Sequence, residues 1–362
     1  MNRNSFSCTL IAALAIAATM IGGKPVGAQY YKDKTITVLV GAGAAGGVSI
    51  MARIISRNLA KSIEGNPKII VKNLPGGGGA KAQSFLYDKA RNDGTTVYYG
   101  FWNGIAQVVK APGIRFKYEK FVPVGGLKLA GVLLWGRKDM LPGGLKESAD
   151  ISKVKRFKFG GMGIINSRTL MATLSLEVLK VNYQFIGGWR GNGKVRAAIA
   201  GKEIMGTADA IHIYLPFATK LMKGNEFAIF HLPKVNSNGT VTANPIMAKY
   251  APNFMDVYKK IHGGVPSGTA WEALKQALVI GGSMQHVLMG PPGLNSKAAV
   301  ALEKGLKIAM ASENFSKDMK KQVLFVPEYV DRETALKVLA APGKTSSKLQ
   351  KYYKNFIVQA TR

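Results

Sequence analysis

A unit of strand, glycine-rich loop and helix occurs four times in this chain of 362 residues. Repetition of strand and helix in this order predicts parallel sheets in an α/β protein, because each helix returns the chain to the same edge of its sheet. The length allows two domains of ordinary size. The four glycine-rich loops occupy residues 41–47, 73–79, 160–163 and 187–191.

Hydrophobic periodicity and turn residues place the elements around these loops. Helices are expected after each loop, with ends near Lys89 and Ala200 in the second and fourth cases. The polar segment 235–244 is expected to be a surface excursion, and the Pro-Pro-Gly at 291–293 to precede a helical tail. The predicted strands are residues 34–40, 68–72, 95–99, 157–159, 183–186 and 204–207.

The position of the loops has a chemical consequence. The start of a helix leaves backbone N–H groups unpaired and carries partial positive charge. Glycine lets the backbone approach a ligand closely. Each loop is therefore a candidate anion site, and several loops facing one cleft would bind a small anion through backbone donors.

The first 28 residues have the pattern of a secretory signal peptide. They contain no acidic residue, a positive charge at Arg3 and an apolar run from Leu10 to Ile21. Cleavage is expected after Ala28, which predicts a periplasmic protein. The apolar run is shorter than the roughly 20 residues that a membrane span needs.

Residue types narrow the chemistry further. The only cysteine, Cys8, lies inside the predicted signal peptide, so disulfides, thiolate metal sites and cysteine nucleophiles are not expected. No Gly-x-Ser-x-Gly motif is present, and acids are few and dispersed. We therefore predict no metal, no cofactor and no catalytic residue. The histidines, none at the spacing that puts two metal ligands on one helical face, are His212, His231, His262 and His286.

The formal net charge of +30 suggests nucleic-acid binding as one interpretation. The distribution of charge argues against it, because lysines are scattered and no run of five or six basic residues occurs. Stacking aromatic motifs are also missing from the sequence. We expect a generally basic surface that attracts anionic solutes, and no nucleic acid as partner.

The first loop also matches a dinucleotide-binding fingerprint, with glycines at 41, 43 and 46 between a strand and a helix. That fingerprint needs an acidic residue at the end of the second strand to bind the ribose hydroxyls. Lys72 and Asn73 stand there instead. A nicotinamide enzyme is also unusual behind a secretory signal, so the dinucleotide interpretation is disfavoured.

The order and spacing of several motifs resemble the tripartite tricarboxylate transporter receptor family, the TctC or Bug-type periplasmic solute-binding proteins. The similarity extends over nearly the whole chain after the predicted signal peptide. The motifs are a strand at 36–40 followed by Gly46-Gly47 and Ala52-Arg53, the Gly65-Asn66-Pro67 turn, Asn73-Leu74-Pro75-Gly76, Asp93-Gly94-Thr95, residues 160–167, residues 191–203 and Pro291-Pro292-Gly293.

The resemblance implies an α/β periplasmic binding protein of type II-like architecture, with the ligand cleft between two lobes. Lobe 1 would contain residues 29–122 and 286–362, and lobe 2 residues 123–285. The family binds small mono-, di- and tricarboxylates, and some acidic amino acids or aromatic acids. The implied partners are a small organic acid and the membrane subunits of a tripartite tricarboxylate transporter, and we expect a monomer.

The resemblance also implies ligand-binding residues, since the family's first loop holds a carboxylate largely through backbone N–H groups and water. One departure stands out, because the family commonly has Asp where this chain has Ser49. Trp102 and Trp189 adjoin the predicted cleft and are either core residues or stacking surfaces for an aromatic ligand. The residues carried over are Ala44, Ala45, Gly46, Gly47, Ser49, Gly77, Gly78 and Asn103 in lobe 1, and Ser167, Arg190 and Asp209 in lobe 2.

Two of these residues have alternative interpretations. Arg190 is either a bidentate carboxylate clamp or a solvated surface residue. Asp209 would repel a carboxylate unless the ligand carries an amine or hydroxyl, and otherwise caps a loop. For the whole protein the leading hypothesis is a carboxylate receptor that performs no chemistry. The alternative is an exported α/β enzyme acting on a small anionic substrate.

Overall fold

The computed structural model describes residues 30–189, 191–235 and 240–361. The predicted signal peptide, its cleavage point after Ala28 and the candidate Arg190 lie outside these ranges. In the described part of the chain, no helix has both the length and the apolar character needed to cross a bilayer.

The described elements alternate strand and helix as the sequence predicts. The strands are β1 (Thr35–Val40), β2 (Lys68–Asn73), β3 (Thr96–Phe101), β4 (Val122–Lys128), β5 (Val132–Arg137), β6 (Phe157–Gly160), β7 (Tyr183–Ile186), β8 (Gly206–Ala210), β9 (Glu226–His231), β10 (Lys234–Val235), β11 (Val241–Thr242), β12 (His286–Gly290) and β13 (Glu328–Val330). The helices are α1 (Gly47–Ser62), α2 (Ala80–Lys89), α3 (Gly104–Val108), α4 (Ser167–Val178), α5 (Asn192–Ala200), α6 (Ile211–Ile213), α7 (Thr219–Met222), α8 (Phe254–His262), α9 (Gly268–Gly282), α10 (Ser296–Ala311), α11 (Glu313–Val323), α12 (Arg332–Ala340) and α13 (Ser347–Ala360).

The first sheet has the strand order β13-β4-β12-β3-β1-β2. β1 pairs in parallel with β2 and β3, as the strand–loop–helix repetition predicts. β12 is antiparallel to both β3 and β4, so the sheet is mixed. Helix α1 buries Ile54, Ile55 and Leu59 against this sheet and leaves its charged residues outside.

The second sheet has the order β7-β6-β8-β5-β9. β6 is parallel to β7 and β8, whereas β5 is antiparallel to β8 and β9. Its aromatic residues Phe157, Phe159 and Trp135 are fully buried. The described residues therefore form two large sheets, each with its own parallel segment that ends in glycine-rich loops, and a separate two-stranded ribbon of β10 and β11.

Two crossings join the sheets. The chain leaves the first sheet at the end of β4 and enters β5, and it returns through α9 into β12. Gln285 connects the two crossings, because its Oε1 accepts from the Leu129 N–H at 2.6 Å and its Nε2 donates to the Gly282 carbonyl at 2.8 Å. β4 pairs within the first sheet over its whole length, so the predicted change of lobe at residues 122 and 123 falls at the beginning of this strand rather than after it.

Candidate functional site

A cavity of about 500 Å³ lies between the two sheets, and all four glycine-rich loops contribute to its lining. A cleft of this volume suits a small organic molecule. The loops meet here because the carboxyl ends of parallel strands lie at one edge of each sheet, where ligands bind in open α/β folds. The loop residues in the lining are Gly41, Ala42, Gly77, Gly78, Met162, Gly163, Trp189 and Gly191.

The two loops of the first sheet pack tightly on each other. A Cβ added at Gly41 would stand 2.5 Å from the Gly79 Cα, so both positions need glycine. Residues 76–79 all have positive φ, a conformation that side chains disfavour at every one of these positions. The loop therefore brings bare backbone to the cavity, at the first turn of α2 where helical N–H groups lack helical partners.

A network of uncharged polar side chains supports this wall. The Tyr118 hydroxyl accepts from the Asn103 N–H at 2.9 Å and donates to Gln83 Oε1 at 2.7 Å. Gln83 Nε2 donates to the Phe101 carbonyl at 2.8 Å. Burial raises the pKa of Tyr118 far above its usual value, so the hydroxyl remains a neutral donor.

Asn103 links the two walls of the cleft. Its Oδ1 accepts from the Ala106 N–H at 3.1 Å and so caps α3, while its Nδ2 donates to the Ile165 carbonyl of the opposite wall at 2.7 Å. The side chain therefore holds a loop of one sheet against a loop of the other.

The second wall contains charged side chains. Asn166 caps α4 by accepting from the Thr169 N–H, so Ser167 and Arg168 occupy the first turn of this helix at the cavity. The Arg168 guanidinium donates to Asp209 Oδ1 at 3.1 Å, and Arg196 donates to Asp209 Oδ2 at 3.5 Å. Two guanidinium groups thus face one carboxylate, which leaves one net positive charge beside the cavity.

Asp209 is almost completely buried behind this wall. Burial raises the pKa of its carboxyl group, and the charges of Arg168 and Arg196 oppose that change. Burial also lowers the pKa of Arg168. A guanidinium nevertheless stays charged at neutral pH because its ordinary pKa is above about 12. Trp135 Nε1 donates to Asp209 Oδ2 at 3.3 Å and completes the support of the carboxylate.

The structure brings some of the predicted site residues to the cavity. Gly77, Gly78, Asn103 and Ser167 line it. Asp209 is one layer behind the lining, where it positions arginine side chains rather than caps a loop. The reason for the difference is that β8 extends through Ala210, whereas the predicted strand ended at residue 207.

The remaining predicted lobe 1 residues lie elsewhere. The cavity lining includes Gly41 and Ala42 of the first loop, and not Ala44, Ala45, Gly46 or Gly47. Ser49 is fully buried, and its hydroxyl donates to the Gly43 carbonyl at 2.9 Å and accepts from Asn73 Nδ2 at 2.7 Å. Ser49 therefore fixes the shape of the loop.

Arg168 and Arg196 are functional candidates that the sequence interpretation missed. Arg168 directly follows the predicted Ser167, at the start of a helix after a glycine-rich loop, and this position was the available signal. Arg196 sits within α5 and approaches Asp209 only through the fold, so no local pattern marks it. Among the described residues that line the cavity, Arg168 is the one with a formal charge.

The arrangement defines a class of protein. Two α/β lobes meet at a cleft that combines helix starts, bare backbone and one net positive charge, which suits reversible binding of a small anion. Neither a histidine nor a carboxylate belongs to the described cavity lining, and the described residues contain no cluster of potential metal ligands. The fold class is that of two-lobed α/β proteins with a cleft between the lobes.

Comparison with solved structures confirms this fold and the likeness to the TctC and Bug-type proteins. A ligand-free TctC solute-binding protein from Polaromonas superposes with a TM-score of 0.62 at 17% identity, over 91% of this chain and 99% of its own. The periplasmic binding protein BugD gives a TM-score of 0.61 at 18% identity, over 91% and 98% of the two chains. The protein MatC from Rhodopseudomonas palustris, solved with bound malate, gives 0.58 at 21% identity, over 91% and 99%.

Sequence comparison is less extensive. No protein-family model matches the chain. An Agrobacterium vitis protein described as a UPF0065 protein of the TAR-I ttuE-ttuC' intergenic region is 25% identical over 187 residues. The match covers 48% of this chain and 52% of that protein, so the chain spans about half the length of the curated relative it matches.

Proposed function

We propose that this protein is a periplasmic receptor that binds a small carboxylate and delivers it to the membrane subunits of a tripartite tricarboxylate-type transporter, as a monomer and without performing chemistry. The observation that carries the proposal is the position of Arg168, at the start of α4 and at the cavity where the four glycine-rich loops meet. A carboxylate there would bind both a guanidinium and helix N–H groups.

The energetic argument favours an anion. Hydrogen bonds between a guanidinium and a carboxylate are stronger than those between neutral groups, and the start of a helix adds favourable interaction with negative charge. The cavity lies between two lobes, so closure would remove the ligand from water and strengthen these interactions. Bound malate in MatC, which shares the fold, supports the same ligand chemistry.

Export and delivery are supported less directly. The first 28 residues have the pattern of a signal peptide, and the structural neighbours include periplasmic binding proteins. Mass spectrometry of the protein purified from the periplasm would test export, with Gln29 expected as the first residue. A mature chain that still begins at Met1 would contradict cleavage.

Binding can be tested with purified protein lacking the predicted signal peptide. Organic acids should raise the melting temperature by mass action once their free concentration exceeds the dissociation constant. A panel of mono-, di- and tricarboxylates, each with its neutral amide as control, should contain at least one acid that stabilises the protein and whose amide does not. Failure of every acid in the panel would contradict the proposal.

A further inference from the structure

We infer that the preferred ligand carries a single carboxylate on a largely apolar body, and that Arg168 is the side chain that meets its charge. This inference rests on the proposed function and narrows its ligand class. The ligand preference would then differ from that of receptors whose ligands have polar groups at both ends.

The first argument is the charge balance of the cavity wall. Arg168 and Arg196 share Asp209, which leaves one net positive charge for a ligand. The Arg168 side chain is 18% exposed and reaches the cavity, so its remaining N–H groups are available on that side. One ligand carboxylate would balance the net positive charge of this wall. A second carboxylate would meet no further charged side chain among the described residues that line the cavity.

The second argument is that most polar side chains in the lining are already hydrogen-bonded to the protein. The Gln83 and Asn103 amides each use their oxygen and one N–H within the fold. Trp102 Nε1 donates to the Met284 carbonyl at 2.7 Å, and Gln285 joins the two crossings. Asn166 Oδ1 is occupied as the cap of α4. A second carboxylate would therefore find the remaining neutral N–H groups but no charged partner among the described lining residues.

The third argument is the loop at the start of α1. Its exposed backbone would be the natural place for a second carboxylate, yet the cavity lining stops at Ala42. The carbonyl of Ala44 instead accepts from the Arg53 guanidinium at 2.9 Å, on an exposed part of the surface. Residues 44–47 are therefore not among the described residues that line the cavity.

The rest of the lining is apolar, and both lobes contribute to it. An alkyl or aryl group would bury favourably against this surface, whereas a buried carboxylate without partners is costly. Phe101 is 37% exposed, a high value for a phenylalanine, and it lies in the cavity wall where a ligand would cover it. The apolar lining residues include Phe101, Ala106 and Ile114 from the first lobe and Val132, Ile165 and Met171 from the second.

A matched series of six-carbon ligands tests the inference by calorimetry. Hexanoate has one carboxylate on an alkyl body, adipate has a carboxylate at each end, and hexanamide has none. We expect hexanoate to bind at least about tenfold more tightly than adipate, a difference of about 1.4 kcal/mol, and hexanamide to show no binding. The larger 3-phenylpropanoate should bind at least as tightly as hexanoate, because it covers more of the apolar wall.

Variants at position 168 test whether Arg168 is the side chain that binds the ligand carboxylate. Replacement by Gln (Arg168→Gln) should weaken hexanoate binding by about tenfold or more, because the ligand loses hydrogen bonds to a charged group. Arg168→Lys should recover part of that loss by retaining the charge. Arg57→Gln, which removes an arginine of an exposed pair with Asp318, is the matched control and should bind hexanoate normally.

The outcomes separate the inference from the proposed function. Adipate binding more tightly than hexanoate would overturn the single-carboxylate inference and leave the carboxylate receptor intact. Equal binding of hexanoate by the wild type and by a folded Arg168→Gln variant would overturn the assigned role of Arg168. Absence of binding by any of the acids would contradict both.

Discussion

The two walls of the cleft are built from different chemistry. The wall from the first sheet presents bare glycine backbone supported by the neutral network of Gln83, Asn103 and Tyr118. The wall from the second sheet presents Arg168 with Arg196 and Asp209 behind it. The first wall therefore determines shape, and the second supplies charge.

This difference predicts whether a substitution in each wall should change stability, anion binding or both. A neutral buried network contributes to stability through satisfied hydrogen bonds, and its loss should leave the preference for anions unchanged. A substitution in the charged cluster should change both stability and anion binding, because the carboxylate that pairs with the arginines also orients them. The first wall should therefore affect stability alone, and the second both stability and anion binding. Substitutions in the two walls test this difference, beginning with the largest expected effect.

Replacement of Asp209 by Asn should be the most destabilising of these changes. The substitution leaves Arg168 and Arg196 beside each other without the buried carboxylate that balances one of their two charges. Removal of one partner of a buried ion pair costs about 3–5 kcal/mol. We expect the lower part of this range, about 3 kcal/mol, because both arginine side chains are partly exposed, and chemical denaturation would measure it.

The control for Asp209→Asn is the same substitution in a surface pair. Asp318 forms an ion pair with Arg57, and both side chains are substantially exposed at 31% and 52%. Asp318→Asn should change the free energy of unfolding by less than about 1 kcal/mol. If the two variants unfolded at the same denaturant concentration, the cluster of Arg168, Arg196 and Asp209 would contribute no more to stability than the exposed pair does.

The same contrast explains what the sequence could and could not predict. Strands, glycine-rich loops and helix starts follow local rules, so α2 and α5 end at their predicted limits of Lys89 and Ala200. The loop that contains Gly77 and Gly78 was found in the same way, because glycine at a strand–helix turn is a local signal; the resemblance then singled out these two residues. The neutral backbone wall was therefore largely predictable.

The charged wall was not predictable, because it depends on contacts distant in sequence. Arg168 and Asp209 are 41 residues apart and meet only after β8 pairs with β6 and α4 packs over the sheet. Asn103, which the resemblance assigned to ligand binding, lines the cavity, but its bond to the Ile165 carbonyl could not be read from the sequence. Backbone patterns give the positions of helix starts, whereas side-chain partners require the assembled fold.

Removal of the Tyr118 hydroxyl should affect the neutral wall alone. Tyr118→Phe leaves the Asn103 N–H and Gln83 Oε1 without their buried partner, and an unsatisfied buried group costs about 1–3 kcal/mol. Chemical denaturation should show that loss, while calorimetry with hexanoate should show a dissociation constant within about threefold of the wild-type value.

Tyr250 provides the control for the hydroxyl deletion, because its side chain is 41% exposed. Tyr250→Phe should leave stability unchanged within about 0.5 kcal/mol. A Tyr118→Phe variant that remained stable but lost anion binding would reverse the division between the walls, since the neutral network would then act in recognition.

The hydrogen bond between the walls should have a smaller effect. Asn103→Ser keeps an acceptor that can cap α3 but removes the N–H that reaches the Ile165 carbonyl. Loss of one such bond should favour separated lobes by about 1 kcal/mol. Small-angle scattering of the ligand-free protein should then give a larger radius of gyration, and saturating ligand should restore the wild-type value.

Asn295→Ser is the matched control for the change at Asn103. Asn295 caps α10 by accepting from the Lys297 and Ala298 N–H groups, and it takes part in a helix cap away from the cleft. This substitution should leave the radius of gyration unchanged. Equal radii for the two variants would mean that the Asn103 bond does not hold the lobes together.

The pH dependence of binding should be the smallest effect. A fall in affinity in acid would indicate protonation of the ligand, and a rise would indicate protonation of Asp209. Arg168 stays protonated although burial lowers its pKa, and Tyr118 stays neutral because burial raises its pKa. Neither wall should therefore change charge between about pH 6 and 9, and the affinity for hexanoate should be constant there. Below about pH 5 the affinity should fall, because carboxylic acids of this type take up a proton near pH 4.

Protonation of Asp209 would act in the opposite direction. Burial raises the pKa of this carboxyl group, and a proton taken up as the pH falls would remove the negative charge that faces Arg168 and Arg196. The affinity would then rise with acidity before the ligand itself is neutralised. Because the pKa of Asp209 is raised, calorimetry at closely spaced pH values between about 5 and 6 should show a small rise in affinity as the pH falls; a flat profile would mean that the two guanidinium groups outweigh burial and hold Asp209 ionised.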